Sequence, residues 1–149
     1  MLTEEEKGLL REFFEVVNKM KSANIIRSDR FLGDIGEFII SKELNLKLES
    51  NLRNEGFDAT FKDKKYEIKY ANGSKTNVSV SAAADYEYLV VLVGGDSKLS
   101  RNKVSGTFDV FLIPKENILK EANKGNKNYS FGMSLLRDEF HKKSFNLLT

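Results

Sequence analysis

The run EYLVVLV, residues 87–93, most constrains the fold, because its last six residues are all apolar or aromatic. A strand that faces water on one side alternates apolar and polar residues, so an unbroken apolar run is typical of a central strand buried on both faces. Gly94 and Gly95 follow directly and end this strand. The chain is therefore expected to build a central sheet.

Two helices are predicted before that strand. The segment TEEEKGLLREFFEVVNKM has apolar residues at helical spacing, and Thr3 and Glu6 stand in capping-box register, so we expect a helix over about residues 3–21. A second apolar helical pattern runs from about Phe31 to Glu43. Gly33 and Gly36 lie inside it, and such glycines indicate a close approach by another backbone or a ligand.

The remaining elements alternate between strands and helices. FDATF and KYEIKY are short strands joined by KDKK, FDVFLI is a further strand, and Pro114 suits the first position of a helix, PKENILKEA. DSKLSRNKVSGT and NKGNKN are expected to be loops, and SLLRDEFHKK a short terminal helix capped by Ser134. We therefore predict one mixed α/β domain over residues 1–149, with a central mixed sheet flanked by helices and an extra N-terminal helix.

Composition narrows the possible chemistry. The chain of 149 residues has no Cys and one His, which excludes thiolate catalysis and argues against a histidine-based metal cluster or triad. Its net charge of +2 permits a polyanionic partner without indicating one. No apolar run approaches the roughly 18 residues of a membrane span, and the N-terminus lacks a signal-peptide core. We expect a cytoplasmic protein with no membrane contact.

The stretch GFDATFKDKKYEIKY places charged residues together in a hairpin. Side chains alternate along a strand, so Glu67 and Lys69 share one face. A two-residue turn at Lys62 and Asp63 would set Asp58 opposite Glu67 on that face. A turn moved on by one residue would set Asp58 opposite Lys69, and only a three-residue loop would break the arrangement.

Paired carboxylates on a sheet need a neutralising partner, because like charges directly opposite each other are destabilising. Lys69 supplies one positive charge. Asp58 and Glu67 also form a ready site for a hard cation such as Mg²⁺, which accepts one or two protein carboxylates and keeps positions for water and phosphate. Such an ion can polarise a phosphoryl oxygen.

These residues resemble a known pattern. Asp58, followed nine residues later by Glu67-Ile68-Lys69, is similar to the D…(D/E)xK signature of the PD-(D/E)XK nuclease superfamily, which has the restriction endonuclease-like fold. Glu37 lies upstream, where many members carry a glutamate, and the YLVVLV and FDVFLIPKE segments stand where further core strands belong. The resemblance covers roughly Phe31 to Glu121.

The resemblance implies a role for each motif residue. Asp58 and Glu67 would be metal ligands, with the backbone carbonyl of Ile68 as a third. Glu37 would assist directly or through water, although its position off the apolar stripe equally suits a solvent-facing acid. Lys69 would act on the nucleophilic water. The cofactor would be Mg²⁺ or Mn²⁺, since ligands that are all oxygen argue against zinc.

Two departures from the pattern stand out. Phe57 occupies the position before Asp58 where the motif is named for a proline, and only SVSAAADYE is available for the helix that usually joins the third and fourth core strands.

The predicted function is therefore that of a metal-dependent endonuclease, a hydrolase acting on the phosphodiester bonds of DNA. Restriction or defence is the favoured role and a junction resolvase-like nuclease an alternative. So short a chain has little room for a separate recognition domain, so we expect a homodimer or a partner subunit. A non-catalytic nucleic-acid-binding module with the same fold is the competing hypothesis, and a surface ion network without such a role is a third.

Other polar residues have weaker claims. The basic candidates for phosphate contacts are Lys62, Lys64, Lys65, Lys75, Lys98, Arg101 and Lys103. The tyrosines at 66, 70, 86 and 88 are candidates for base stacking, although packing in the core or at its rim is favoured for them. His141 is predicted to be a surface helix residue.

Overall fold

The computed structural model of the chain describes residues 1–23, 32–49 and 57–147. Its helices and strands, in chain order, are α1 (Glu4–Ser22), α2 (Leu32–Glu43), β1 (Lys47–Leu48), β2 (Ala59–Phe61), β3 (Lys64–Ala71), β4 (Val78–Ser81), β5 (Tyr88–Gly94), β6 (Thr107–Pro114), α3 (Lys115–Glu121), β7 (Asn123–Lys124), β8 (Asn128–Phe131) and β9 (His141–Asn146). None of the described helices is both long and apolar enough to cross a membrane.

The main sheet has six strands in the order β1-β2-β3-β5-β6-β9. β3 and β5 run parallel, and the other neighbouring pairs are antiparallel, so the sheet is mixed. A smaller sheet has the order β4-β8-β7. The mixed α/β class and the central mixed sheet are therefore confirmed.

β5 is the central strand that the apolar run predicts. Leu89, Val90, Val91 and Leu92 have no exposed surface. Leu89 and Val91 pack in a core with the small sheet and α3, whereas Val90 and Leu92 pack in a second core with α1 and α2. The alternation of side chains along one strand thus feeds two cores, one on each face of the sheet.

Local signals predict the N-terminal half well. Thr3 caps α1, and the reciprocal bonds of its capping box with Glu6 are both present. α2 matches the predicted helix over its described length, and Phe31 lies outside the described residues. The hairpin turn consists of Lys62 and Asp63, both with positive φ, and Phe61 pairs with Lys64. The first of the two candidate turns is therefore the correct one.

The C-terminal prediction is wrong. Residues 134–143 do not form a helix capped by Ser134; two 3-10 turns, Met133–Leu135 and Asp138–Phe140, lead into β9. β9 pairs with β6, Phe145 stacks on Phe108 with ring centroids 5.3 Å apart, and Lys143 forms an ion pair with the buried Glu43 of α2. These long-range contacts outweigh local helix propensity.

Two further segments differ from expectation. NKGNKN is not a plain loop, because its ends belong to the paired strands β7 and β8. SVSAAADYE supplies most of β4 and a following turn rather than a helix. The part of the chain that connects β3 to β5 therefore contributes a strand, β4, to the small sheet. Pro114 ends β6 and stands at the N-cap of α3 rather than inside the helix.

Gly36 is the glycine that permits a close approach. A Cβ atom at Gly36 would lie 2.8 Å from the Cβ of Tyr70 on β3, whereas a Cβ at Gly33 would meet nothing within 4 Å. The neighbour is a side chain, not the backbone or ligand that the sequence suggests. Gly36 therefore lets α2 sit directly on β3.

We predict that Gly36→Ala lowers the free energy of unfolding by about 1–3 kcal/mol, because α2 must move away from Tyr70. Gly33→Ala is the matched control and should be neutral or stabilise by up to about 1 kcal/mol, since Ala favours helix more than Gly does. Urea unfolding of both variants measures the difference. Equal effects would contradict the close-packing account.

Candidate active site

The site lies at the edge of β3 where β2 ends. Ala59 pairs with Tyr66, and the Asp58 backbone N–H also donates to the Tyr66 carbonyl at 2.9 Å. Asp58 Oδ2 then accepts the N–H of Ile68 at 2.8 Å. The Asp58 side chain thus replaces a main-chain partner at this edge, and its carboxyl group is held beside β3.

Glu67 and Lys69 extend from β3 toward this carboxyl group. Lys69 Nζ lies 3.4 Å from Glu67 Oε1, and the two side chains are 36% and 14% exposed. Glu67 also lies close enough to Asp58 for the charge of that carboxyl group, after burial, to raise the pKa of Glu67.

Glu37 reaches the same cluster from α2. Its pKa is raised to about 7, first by burial and then by the negative charges of Asp58, Asp34 and Glu67, while Lys69 opposes the shift. The sequence leaves open whether Glu37 faces the hairpin or solvent, and in the structure Glu37 faces the hairpin. Glu37 is therefore within electrostatic reach of Asp58, Glu67 and Lys69.

The surroundings of the cluster disfavour the ionised form of its carboxyl groups. Burial is the main cause that raises the pKa of Asp58, and burial followed by the charge of Asp58 raises that of Glu67. Lys69 lowers both, but it does not offset the effect of burial. An additional positive charge at this edge would favour the ionised form of all three carboxyl groups.

The residues fit a hard cation held by few protein ligands. Because the N–H and C=O of one residue leave a strand on the same side, the Ile68 carbonyl points to the edge where Asp58 accepts the Ile68 N–H. Within residues 1–23, 32–49 and 57–147, no three His, Asp or Glu side chains are grouped so as to hold a metal ion. The candidate donors are therefore the Asp58 and Glu67 carboxylates with the Ile68 carbonyl, a set that Mg²⁺ accepts because it keeps several waters.

A groove of about 350 Å³ adjoins Lys69. Its lining includes Lys69, Lys75, Asn77 and Ser79, which carry two ammonium groups and two hydrogen-bonding side chains. Groups of this kind contact phosphate oxygens of nucleic acids. Of the predicted basic candidates, Lys75 thus shares a groove with Lys69.

Several other basic candidates have partners within the fold. Lys103 Nζ donates to the carbonyls of Ser97 and Lys98, and Arg101 forms an ion pair with Asp138. Lys65 pairs with Asp85 at 2.6 Å. The long loop at residues 96–106 therefore uses part of its charge to hold its own conformation.

The four tyrosines pack within the fold, as favoured for them. Tyr66 stacks on Tyr88 with centroids 5.4 Å apart, and Tyr70 contacts Phe108 and Gly36. Tyr86 is only 4% exposed, so its ring is not presented to a base.

His141 is not a helix residue. It lies on β9, which β5 and β6 separate from β3 in the main sheet. Its Nε2 is 3.1 Å from Asp109 Oδ1 and 2.9 Å from Ser144 Oγ. Its ring meets Phe111 edge-on. His141 is separate from the carboxyl cluster.

Sequence reasoning missed two neighbours of the site. Asp34, one turn before Glu37 on α2, adds negative charge and raises the pKa of Glu37; the i, i+3 spacing is the signal for it. Tyr86 is held neutral by burial and by the charge of Glu67, which raise its pKa to about 12. No local pattern indicates that Tyr86 lies near Glu67.

The comparisons with known proteins do not place the chain in a family. No protein-family model matches its sequence, and a search of curated proteins finds no match. The fold and the geometry of this edge therefore carry the functional argument.

We predict that, in buffer with EDTA, Glu37→Gln stabilises the protein relative to wild type by an amount that grows as pH rises. Because the pKa of Glu37 is about 7 in the folded state against an ordinary value of 4.5, folded protein holds the proton more tightly, and Glu37 lowers the free energy of unfolding as pH rises through this window. The variant should gain about 1–2 kcal/mol over wild type between pH 5 and pH 8, a value reduced for solvent screening.

Urea unfolding at intervals of pH measures this gain. Glu116→Gln, at an exposed position of α3, is the matched control for removing one carboxylate. A wild-type curve that stays parallel to that of Glu37→Gln would contradict the placement of Glu37 among the other acids.

Proposed function

We propose that this protein is a metal-dependent DNA endonuclease of the PD-(D/E)XK type. The observation that carries the proposal is the gathering of Glu37, Asp58, Glu67 and Lys69 at one edge of the central sheet. Three acids with raised pKa values and one ammonium at an edge are typical of functional sites rather than of ordinary solvated surface.

The proposal extends to a restriction endonuclease-like core. A helix packed on β3, the β2–β3 hairpin that presents the acids, and the buried β5 beside β3 support it. β4 departs from the helix expected between core strands, and it lies in the small sheet, away from the edge that holds the acids.

In this proposal Asp58 and Glu67 hold Mg²⁺ or Mn²⁺, with the Ile68 carbonyl as a further oxygen donor. The bound ion supplies Lewis-acid polarisation of the scissile phosphate and neutralises negative charge. The hydrogen bond from Ile68 N–H fixes the Asp58 carboxyl group. Oriented carboxylates of this kind hold an ion without reorganising.

Lys69 and Glu37 act on the water in the proposed reaction. The Lys69 ammonium donates a hydrogen bond to the attacking water and offsets charge that develops on the phosphate. Glu37 accepts the proton of that water, directly or through a second water, since a cation at this edge favours the ionised form of Glu37 that can take up a proton. The water oxygen bonds to phosphorus as the bond to the leaving sugar oxygen breaks, and that oxygen takes up a proton from solvent.

The groove beside Lys69 favours a nucleic-acid substrate over a small phosphate ester. Lys75, Asn77 and Ser79 continue polar and positive surface away from the reacting edge, along which a chain of phosphates would extend. We favour a restriction or defence role, with a junction resolvase-like activity as the alternative within the same chemistry.

We predict that the purified protein nicks or cuts supercoiled plasmid or branched DNA with Mg²⁺ or Mn²⁺, and not with EDTA. Asp58→Asn keeps an acceptor for Ile68 N–H but removes the charge, so this variant, Glu67→Gln and Lys69→Met should each lose about 100-fold or more of the activity. Glu116→Gln and Lys120→Met, at exposed positions of α3, are the matched controls and should retain activity.

The other outcomes separate the competing hypotheses. DNA binding by wild type without cleavage on any substrate would favour a non-catalytic binding module. If the wild-type protein neither binds nor cleaves DNA, the charged hairpin is only a surface ion network, which contributes little to stability. Cleavage that survives Asp58→Asn and Glu67→Gln would place the active site elsewhere.

A further inference from the structure

α1 carries two apolar stripes, and one of them packs into the core formed by the described residues. Leu10 and Val17 are buried, and Phe14 packs beside them. A second stripe of Leu9, Phe13, Val16 and Met20, which we call the outer stripe, follows the spacing 4, 3, 4. At 100° per residue its members lie within an arc of about 60° of the helix surface.

The outer stripe presents large apolar side chains to water. Leu9 is 62% and Val16 is 52% exposed, one heptad apart, while Phe13 and Met20 are partly buried. A repeat of four and three residues is the pattern of a helix that packs against another helix. Exposed apolar patches of this kind mark interaction surfaces.

We propose that the outer stripe binds the α1 helix of a second copy of this chain, in an antiparallel arrangement about a twofold axis. The stripe is symmetric about the midpoint between Phe14 and Glu15. In an antiparallel pair, Leu9 therefore meets Met20 of the other copy, and Phe13 meets Val16, so every layer is apolar.

The charges beside the stripe favour the antiparallel direction. Glu12 and Lys19 are exposed on the side of the stripe away from the core, and neither forms an ion pair within the described part of the chain. Between the two apolar layers of an antiparallel pair, Glu12 of each copy lies beside Lys19 of the other.

The charge distribution along α1 favours the same direction. The first turn is acidic, with Glu4, Glu5 and Glu6, and the last turn contains Lys19 and Lys21. A parallel pair would bring the acidic turns of both copies together and align the helix dipoles, whereas an antiparallel pair sets each acidic turn toward the opposite basic end. The occupant whose apolar spacing and charges complement this surface is a second copy.

Sedimentation velocity of the full chain over a concentration series tests the proposal. We expect a species of twice the 17.0 kDa chain mass. Val16→Glu should raise the dissociation constant of this dimer about 100-fold or more, because two copies of the charge enter the apolar layers. Leu119→Glu on α3 is the matched control, at 51% exposure, and should leave the dimer unchanged.

Charge reversal tests the direction. Glu12→Lys and Lys19→Glu alone should each weaken the dimer about tenfold, and the two together should restore it to within about threefold of wild type, because the pairs are re-formed with opposite sign. Circular dichroism should show unchanged helix content for these exposed substitutions.

A monomer at every concentration, or a dimer indifferent to Val16→Glu, would overturn the proposal, and a weakened double variant would overturn the antiparallel direction. The outer stripe contains none of the proposed catalytic residues, so a failed cleavage assay does not bear on the dimer.

Discussion

Burial of the neighbouring carboxyl groups of Glu37, Asp58 and Glu67 governs the rest of the site, because it is the first cause that raises the pKa of each. All three are partly removed from water, and Lys69 is the neighbour that offsets their charge. Such a cluster costs stability, so the fold must hold it in place by other contacts. The hydrogen bond from Ile68 N–H and the close seating of α2 on β3 do so, and the two apolar cores stabilise the sheet that carries both.

The part of the site that lies in the hairpin could be predicted from the sequence, because its signals are local. The two-residue turn at Lys62 and Asp63 determines which strand residues face each other, and alternation then places Glu67 and Lys69 on one face. Glu37 needed more. Its place beside Asp58 follows from how closely α2 approaches β3, and a glycine in the sequence indicates that an approach occurs without naming the partner.

The elements that sequence reasoning missed depend on pairing between distant segments. β9 forms because β6 offers it a free edge and because Phe145 meets Phe108, 37 residues earlier in the chain. Local patterning of residues 134–143 gave no sign of this partner. β4 likewise joins β8 across about 50 residues. The sequence suggests only a packed or stacked ring for Tyr86, and the proximity of Tyr86 to Glu67 arises from the parallel pairing of β3 with β5.

A ¹³C NMR titration of the side-chain carboxyl groups, with Asp and Glu labelled, in EDTA and then in Mg²⁺, shows whether these acids hold an ion. The account predicts that Glu37 titrates near pH 7 in EDTA and that Mg²⁺ lowers the apparent pKa values of Glu37, Asp58 and Glu67 together, because a cation at this edge favours their ionised forms. Titration curves that Mg²⁺ leaves unchanged would contradict the account, since the acids would then hold no ion.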